Sequence, residues 1–255
     1  MTGGESRVDD TPHSMPGSSS PLFRVGGVEL ISPLTVVLVR HGVTDMTVTQ
    51  QLSGSGVPGP SLNAAGRVQA AKAADAVYAI GRRTWPSVAR VSRVIASPLV
   101  RTQETGAAVA RRLGVHVETE DRLREIDFGE WEGRTAEAIS QEDPEIMHRW
   151  RFGEVPALGG ESFGDVGARV DAALVDLAAE HARLAREGDG GDRAWAAVAH
   201  AVAIKSAVGV SMGLPADRWG ALWPVPASLT MLQLRVTAQG EIVERHLMCM
   251  GAPTD

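Results

Sequence analysis

The run Leu34-Thr-Val-Val-Leu-Val39 leads straight into Arg40-His41-Gly42, and no other junction in the chain restricts the fold so narrowly. Six strand-forming residues in succession predict a strand buried on both faces. Such a strand delivers its next residues to the carboxyl edge of an α/β sheet, where open sheets place their ligand crevices. Here those residues are a fixed cation, an imidazole and a glycine that permits close approach of backbone to ligand. An imidazole beside a guanidinium suits attack on an anionic phosphoryl group. The arginine holds the oxygens, and its charge keeps the histidine neutral and nucleophilic.

Two further β-rich runs end in the same way. Val91 to Ala96 leads into Ser97-Pro98-Leu99, with Arg101-Thr102 and Glu104-Thr105 behind it, and Ala194 to Ala199 leads into His200. Between Arg101 and His200 lies Leu123-Arg-Glu125-Ile-Asp-Phe-Gly129-Glu-Trp131-Glu-Gly133, a carboxylate-rich loop with glycines for tight backbone paths. Helices are predicted from an Asn63 cap to about Ile80, from Leu99 to Leu113, from an Asp143-Pro144 start through Trp150, from a Ser162 cap to beyond Leu184, and from Ala201 to Met212. A short strand near Val115–Glu118 and two closing strands, Ser228–Arg235 and Glu241–Leu247, complete the reading. Alternation of strand and helix implies an α/β fold, a three-layer αβα sandwich with a mostly parallel central sheet. Glu125 and the segment from Arg134 to Phe163 are expected to form a small cap over the carboxyl edge.

These motifs, in this order, resemble the histidine phosphatase superfamily, also called phosphoglycerate-mutase-like. The matching pieces are Arg40-His41-Gly42 with Thr44, Ser97-Pro98-Leu99 with Arg101-Thr102 and Glu104-Thr105, the Glu125 loop, and Val198-Ala199-His200. Pro60-Ser-Leu62-Asn-Ala-Ala-Gly66-Arg-Val-Gln69-Ala70 is similar to the start of the family's first helix. The likeness spans roughly residues 34 to 235, and around Ser53-Gly54 and His200-Ala-Val-Ala-Ile-Lys205 it leans toward α-ribazole-phosphate phosphatases and bacterial acid phosphatases.

The resemblance implies a metal-independent phosphomonoesterase, a histidine (acid) phosphatase that uses no cofactor. His41 is then the nucleophile that becomes phosphohistidine. Arg40, Arg101 and His200 surround the transferring oxygens, and Glu125 protonates the leaving group and later activates water. Thr44 either binds a phosphate oxygen or caps a turn. Ser53 and Gly54 either offer backbone N–H groups to substrate or form a plain linker. Glu161 is a candidate substrate contact, and Trp131 and Trp150 are candidates to line the pocket. Val43, Thr47 and Ala201 depart from the commoner family pattern, and the first two weaken the alternative of a phosphoglycerate-type mutase. An alternative from another class is an inactive phospho-ligand-binding protein on the same fold.

Composition narrows the partners. The formal net charge is −6, and only two of the 25 basic residues are lysines, Lys72 and Lys205. No basic run or aromatic platform suggests nucleic acid, so the expected partner is a small phosphomonoester. Cys249 is the single cysteine, which excludes an intrachain disulfide and fits a reducing compartment. Residues 1–32 read as a disordered tail ahead of a catalytic domain at 33–255, with Val25–Ile31 a possible added edge strand. No run suits a signal peptide or membrane span, so a cytoplasmic location is expected, and no metal-ligand spacing is seen.

Overall fold

The computed structural model describes residues 23–25 and 27–254. Its elements are β1 (Phe23–Val25), β2 (Val28–Leu30), β3 (Leu34–Arg40), α1 (Asp45–Val48), α2 (Ala64–Ala79), β4 (Val91–Ala96), α3 (Val100–Leu113) and β5 (Val117–Thr119), followed by α4 (Ala136–Glu142), α5 (Pro144–Arg151), α6 (Phe163–Arg186), β6 (Arg193–Ala199), α7 (Ala201–Ser211), β7 (Leu229–Val236) and β8 (Ile242–Ala252). Six strands form one sheet in the order β5-β4-β6-β3-β7-β8. β3, β4, β5 and β6 run parallel, β7 runs antiparallel to β3, and β8 antiparallel to β7.

β3 lies between β6 and β7, which explains its unbroken apolar run. Leu34, Val36 and Leu38 face one layer with Val166, Val170 and Leu174 of α6. Val37 and Val39 face the other with Ala73 and Val77 of α2 and Val109 of α3. The period-two alternation therefore serves two cores, and neither face can be polar. Burying each such side chain stabilises the fold by about 1.5–3 kcal/mol. The result is the three-layer αβα arrangement that the strand–helix rhythm predicts.

Local chemistry sets the boundaries. The Asn63 side chain accepts from the Gly66 amide to start α2, and Asp143 caps α5 with Pro144 at its first position. Ser162 and Asp165 form a reciprocal capping box at α6. β8 extends beyond its expected end at Leu247 to Ala252, because it pairs with β7 across several register shifts.

One expectation needs correction. The end of the proposed tail is structured: β1 and β2 pair antiparallel, Leu30 is buried, and the Ile31 amide donates to the Val236 carbonyl. Leu30 anchors this hairpin to the core, which outweighs the Gly- and Pro-rich composition just before it. The expected edge strand at 25–31 is thus part of a hairpin at the end of β7, and the rest of the proposed tail, 1–22, lies outside the described residues. Among the described residues no helix is long and apolar enough to cross a membrane.

Candidate active site

Three strand ends are tied together by backbone hydrogen bonds that continue the parallel ladder. The His41 amide donates to the Ala199 carbonyl at 3.1 Å, and the Ser97 amide to the Val198 carbonyl at 3.0 Å. His41 after β3, His200 after β6 and the Ser97 turn after β4 are thereby placed side by side. The turn that carries His41 is held from outside as well. The Gly42 amide donates to Thr105 Oγ1 and the Val43 amide to Gln69 Oε1, while Glu104 accepts from the Leu62 amide. A Cβ on Gly42 would strike the Gly66 carbonyl, and one on Gly66 would strike that of Val43, so two backbones touch here without side chains between them.

His41 is almost fully buried, at 5% exposure. Its Nδ1 lies 2.7 Å from the Gly42 carbonyl, which can only accept, so the ring proton sits on Nδ1. Nε2 therefore carries the lone pair, and Arg101 Nε donates to it at 3.2 Å. Burial, with Arg101 and Arg40 adding repulsion, holds the imidazole pKa well below its ordinary value. The ring is neutral, with its lone pair on Nε2.

His200 packs behind His41 with ring centroids 5.1 Å apart and is completely buried, so it adjoins the cavity without lining it. Ser97 Oγ accepts from the Leu99 amide and lies 2.8 Å from His200 Nε2. Where Ser97 donates its hydroxyl proton to Nε2, the ring proton of His200 stands on Nδ1. Burial, followed by repulsion from Arg101 and Arg40, keeps this ring neutral too.

Arg101 rises from the first turn of α3 and is 1% exposed. Its Nη2 donates to the carbonyls of Ser53 at 2.8 Å and Gly54 at 3.4 Å. Burial lowers its pKa to about 10, opposed by Glu125 and Glu132, so it stays cationic at neutral pH. Gly59, at φ +80°, leaves the space that Arg101 Nη1 fills. Arg40 is fixed by an Nη1 bond to the Pro224 carbonyl at 2.8 Å. Arg40 Nε, Ser53 Oγ and His200 Nδ1 are buried polar atoms with no hydrogen-bond partner among the described residues. Unpaired buried donors beside a neutral imidazole suit an incoming oxyanion.

Glu125 reaches the amino end of α7. Its carboxylate accepts from the amides of Ile126 at 3.1 Å, Val202 at 3.0 Å and Ala203 at 3.4 Å. The loop that carries it is fastened by Arg169 of α6. That guanidinium donates to the carbonyls of Arg122, Arg124 and Glu125 and to both carboxylate oxygens of Glu161.

These groups border a cavity of about 540 Å³. Arg40, His41, Thr44, Ser53, Arg101 and Glu125 line it, together with Phe128 and Trp150 from the cap. Other expected residues sit elsewhere. Gly54 does not line the cavity, because its amide is taken by the Glu132 carboxylate at 2.8 Å. Glu161 pairs with Arg169 and the Asp127 amide, since a half-buried carboxylate is stabilised by those donors. Trp131 stacks edge-on against Trp150 in the cap core and faces another cleft. Thr44 borders the cavity, but its hydroxyl is engaged in a capping box with Thr47. Sequence reasoning missed Arg169, Lys205 and Trp223. The only hint in the sequence was that Lys205 lies four residues beyond Ala201 on one helix, which places both on one face. Among the described residues no group of His, Cys, Asp or Glu side chains is arranged to hold a metal ion.

The fold and site define an anion-binding α/β protein built around a neutral histidine at the carboxyl edge of its sheet. The chain belongs to the histidine phosphatase superfamily (branch 1), whose family model matches residues 36–245. It is similar to the glucosyl-3-phosphoglycerate phosphatase of Mycobacterium tuberculosis, 31% identical over 188 residues, 73% of this chain and 79% of that protein. The solved mycobacterial enzyme of that name superposes with a TM-score of 0.73 at 28% identity, covering 86% of this chain and 99% of that one, and it has also been solved with VO3 and with inorganic phosphate. A bifunctional protein of Mycobacterium tuberculosis is 37% identical over 140 residues, which are 54% of this chain and only 36% of that protein, so the chain matches about a third of that relative's length. A probable phosphoglycerate mutase of Enterobacter sp. is 30% identical over 187 residues, 72% of this chain and 77% of that protein.

Proposed function

We propose that this chain is a metal-independent phosphomonoesterase that hydrolyses a small phosphorylated metabolite through a phosphohistidine on His41. The observation that carries this reading is the state of His41. Its proton is committed to Gly42, its Nε2 lone pair faces the cavity's guanidinium groups, and its neighbourhood keeps it neutral. Nε2 attacks phosphorus as the substrate's ester oxygen departs. Arg40 and Arg101 neutralise the non-bridging oxygens, and Nδ1–H of His200 supplies a further donor.

Glu125 gives its proton to the departing oxygen, and in the second step removes one from the water that cleaves the phosphorus–nitrogen bond. Inorganic phosphate leaves and His41 regains its lone pair. The buried donors left unpaired, Arg40 Nε, Ser53 Oγ and His200 Nδ1, support an oxyanion occupant. So does the relative solved with inorganic phosphate.

The test is release of phosphate from p-nitrophenyl phosphate in the presence of a chelator. Turnover by the wild type, with none in His41→Ala, supports the reading. A strict requirement for added metal overturns the mechanism. Transfer of labelled phosphate to a second substrate hydroxyl instead of water would favour a mutase, and binding without turnover an inactive receptor.

A further inference from the structure

Beyond the phosphoryl-handling groups, the cavity holds a cation that the hydrolysis as described does not use. Lys205 of α7 lines it, with Nζ 5.0 Å from the ring centroid of Trp223. Trp223 lines the same cavity from the loop before β7 and is 70% exposed, so one aromatic face stands open at the mouth. Among the described residues no carboxylate lies within ion-pair distance of Lys205, and Glu125 is the one carboxylate on the cavity wall.

We infer that Lys205, seated on Trp223, is a specificity residue that binds a second anionic group on the part of the substrate released as alcohol. The inference rests on the phosphatase reading and names the substrate class for the same site.

Three physical points lead there. The first is charge balance. Arg40 and Arg101 together match a phosphate dianion, and Glu125, the one carboxylate on the cavity wall, is engaged by the amides of Ile126, Val202 and Ala203. Lys205 is then left as an unmatched cation. Second, its surroundings compensate it only in part. Burial costs its charged form most, Glu125 favours that form from a distance, and Arg40 and Arg151 repel it. Arg151, at the exposed end of α5, likewise has no carboxylate partner among the described residues. A group placed at such cost is stabilised by an incoming anion more than a solvated surface lysine would be. Third, the spacing is suitable. Lys205 lies four residues beyond Ala201, which is on the cavity wall beside the catalytic groups, so about 6 Å of helix separates the two levels. That span matches a short linear or cyclic metabolite with anions at both ends. The open face of Trp223 covers its carbon skeleton and orients the ammonium by a cation–π contact.

A carboxylate and a second phosphate share this chemistry, and the substrates of the test separate them. Phosphate release is measured for 3-phosphoglycerate, fructose 1,6-bisphosphate and glycerol 3-phosphate, whose alcohol carries no charge. The enzymes are the wild type, Lys205→Met, Lys205→Arg and Trp223→Ala. The wild type is expected to prefer at least one doubly anionic substrate over glycerol 3-phosphate by about tenfold or more in kcat/KM. Whichever is preferred identifies the second group. In Lys205→Met that preference collapses by about tenfold, mainly through KM. Lys205→Arg keeps most of it, and Trp223→Ala loses part. Equal kcat/KM for all three substrates in the wild type overturns the inference, as does a Lys205→Met change that scales all three alike. Either result leaves the phosphatase reading intact as long as His41-dependent release is seen. Absence of release from every phosphomonoester would instead remove both.

Discussion

Arg101 donates its Nε–H to Nε2 of His41 across 3.2 Å, so a guanidinium occupies the lone pair that the proposed mechanism directs at phosphorus. An incoming phosphoryl group must take that contact over. The arginine then changes partner, from ring nitrogen to phosphate oxygen, without moving far. On the proposed mechanism, the cation that keeps protons off the ring also neutralises the phosphoryl oxygens.

His41→Ala is expected to lower kcat by at least about 10³-fold, because no neighbouring group supplies another nucleophile. The accompanying measurement is a rapid acid-free quench with labelled substrate. Wild-type protein retains an acid-labile phosphoryl group and the variant retains none.

Replacing Glu125 by Gln separates the two proton transfers. Alkyl phosphates, whose alkoxide needs a proton, are expected to suffer a far larger loss than p-nitrophenyl phosphate. With the latter a burst of p-nitrophenol should precede a slow steady state, since hydrolysis of the phosphohistidine lacks its base. Equal losses for both substrates would remove Glu125 from the acid role.

Arg169→Lys tests whether the Glu125 loop must be held. Lysine cannot reproduce a planar fork that reaches three carbonyls and a carboxylate. Small displacements of a catalytic group are costly, so kcat for alkyl phosphates should fall on the order of 10²-fold. Hydrolysis of p-nitrophenyl phosphate should change less in its burst than in its steady state, the same signature as Glu125→Gln. A general loss of folding would instead depress the burst amplitude.

Gly59→Ala places a methyl group against Arg101 Nη1 at a residue with φ +80°. The backbone strain alone costs roughly 1–2 kcal/mol. A fall in the denaturation midpoint is expected, with a rise in KM as the guanidinium shifts. Unchanged KM would mean that Arg101 has room to relax.

Stability should depend on pH below neutrality. His41, His200 and His181 are all buried with pKa values held below the ordinary 6.5. Above that value neither folded nor unfolded chain carries these protons. As pH falls below about 6.5 the unfolded chain binds them first, so stability decreases, by up to about 1.4 kcal/mol per pH unit for each histidine. The decline ends once pH drops through the folded-state values. Chemical denaturation at stepped pH measures the slope, which should be shallower in His200→Gln. An identical slope in that variant would count against a neutral buried His200.

Much of this is legible in the sequence because the decisive residues stand at strand ends. An apolar run that stops at Arg40-His41 announces where the chain leaves the sheet, and the same holds at Ser97 and His200. The cap is harder to read. Glu161 and Glu125 look alike as letters, and only the position of Arg169, eight residues beyond Glu161 on α6, decides which carboxylate is tied down. Gly54 reads as an anion-binding amide, yet Glu132, remote in sequence, claims it. Lys205 and Trp223 belong to separate elements, and no local pattern reveals that a helix and a loop will bring them together. The hairpin of β1 and β2 is only half legible, as one edge strand, because Leu30 is a single anchor in a Gly-rich neighbourhood.

The contact between Gly42 and the start of α2 has a wider consequence. With no room for even a methyl group at that seam, the perch of His41 cannot be retuned by substitution at either glycine without disturbing the helix beside it. The outer wall has no such glycine seam, yet it too is tied to the site: Pro224, next to Trp223, holds Arg40, and Glu125 rests on the amino end of the helix that carries Lys205. On the proposed reading, a change at the rim is therefore felt by the groups that hold phosphate, and a new selectivity has to be gained without displacing Pro224 or the start of α7.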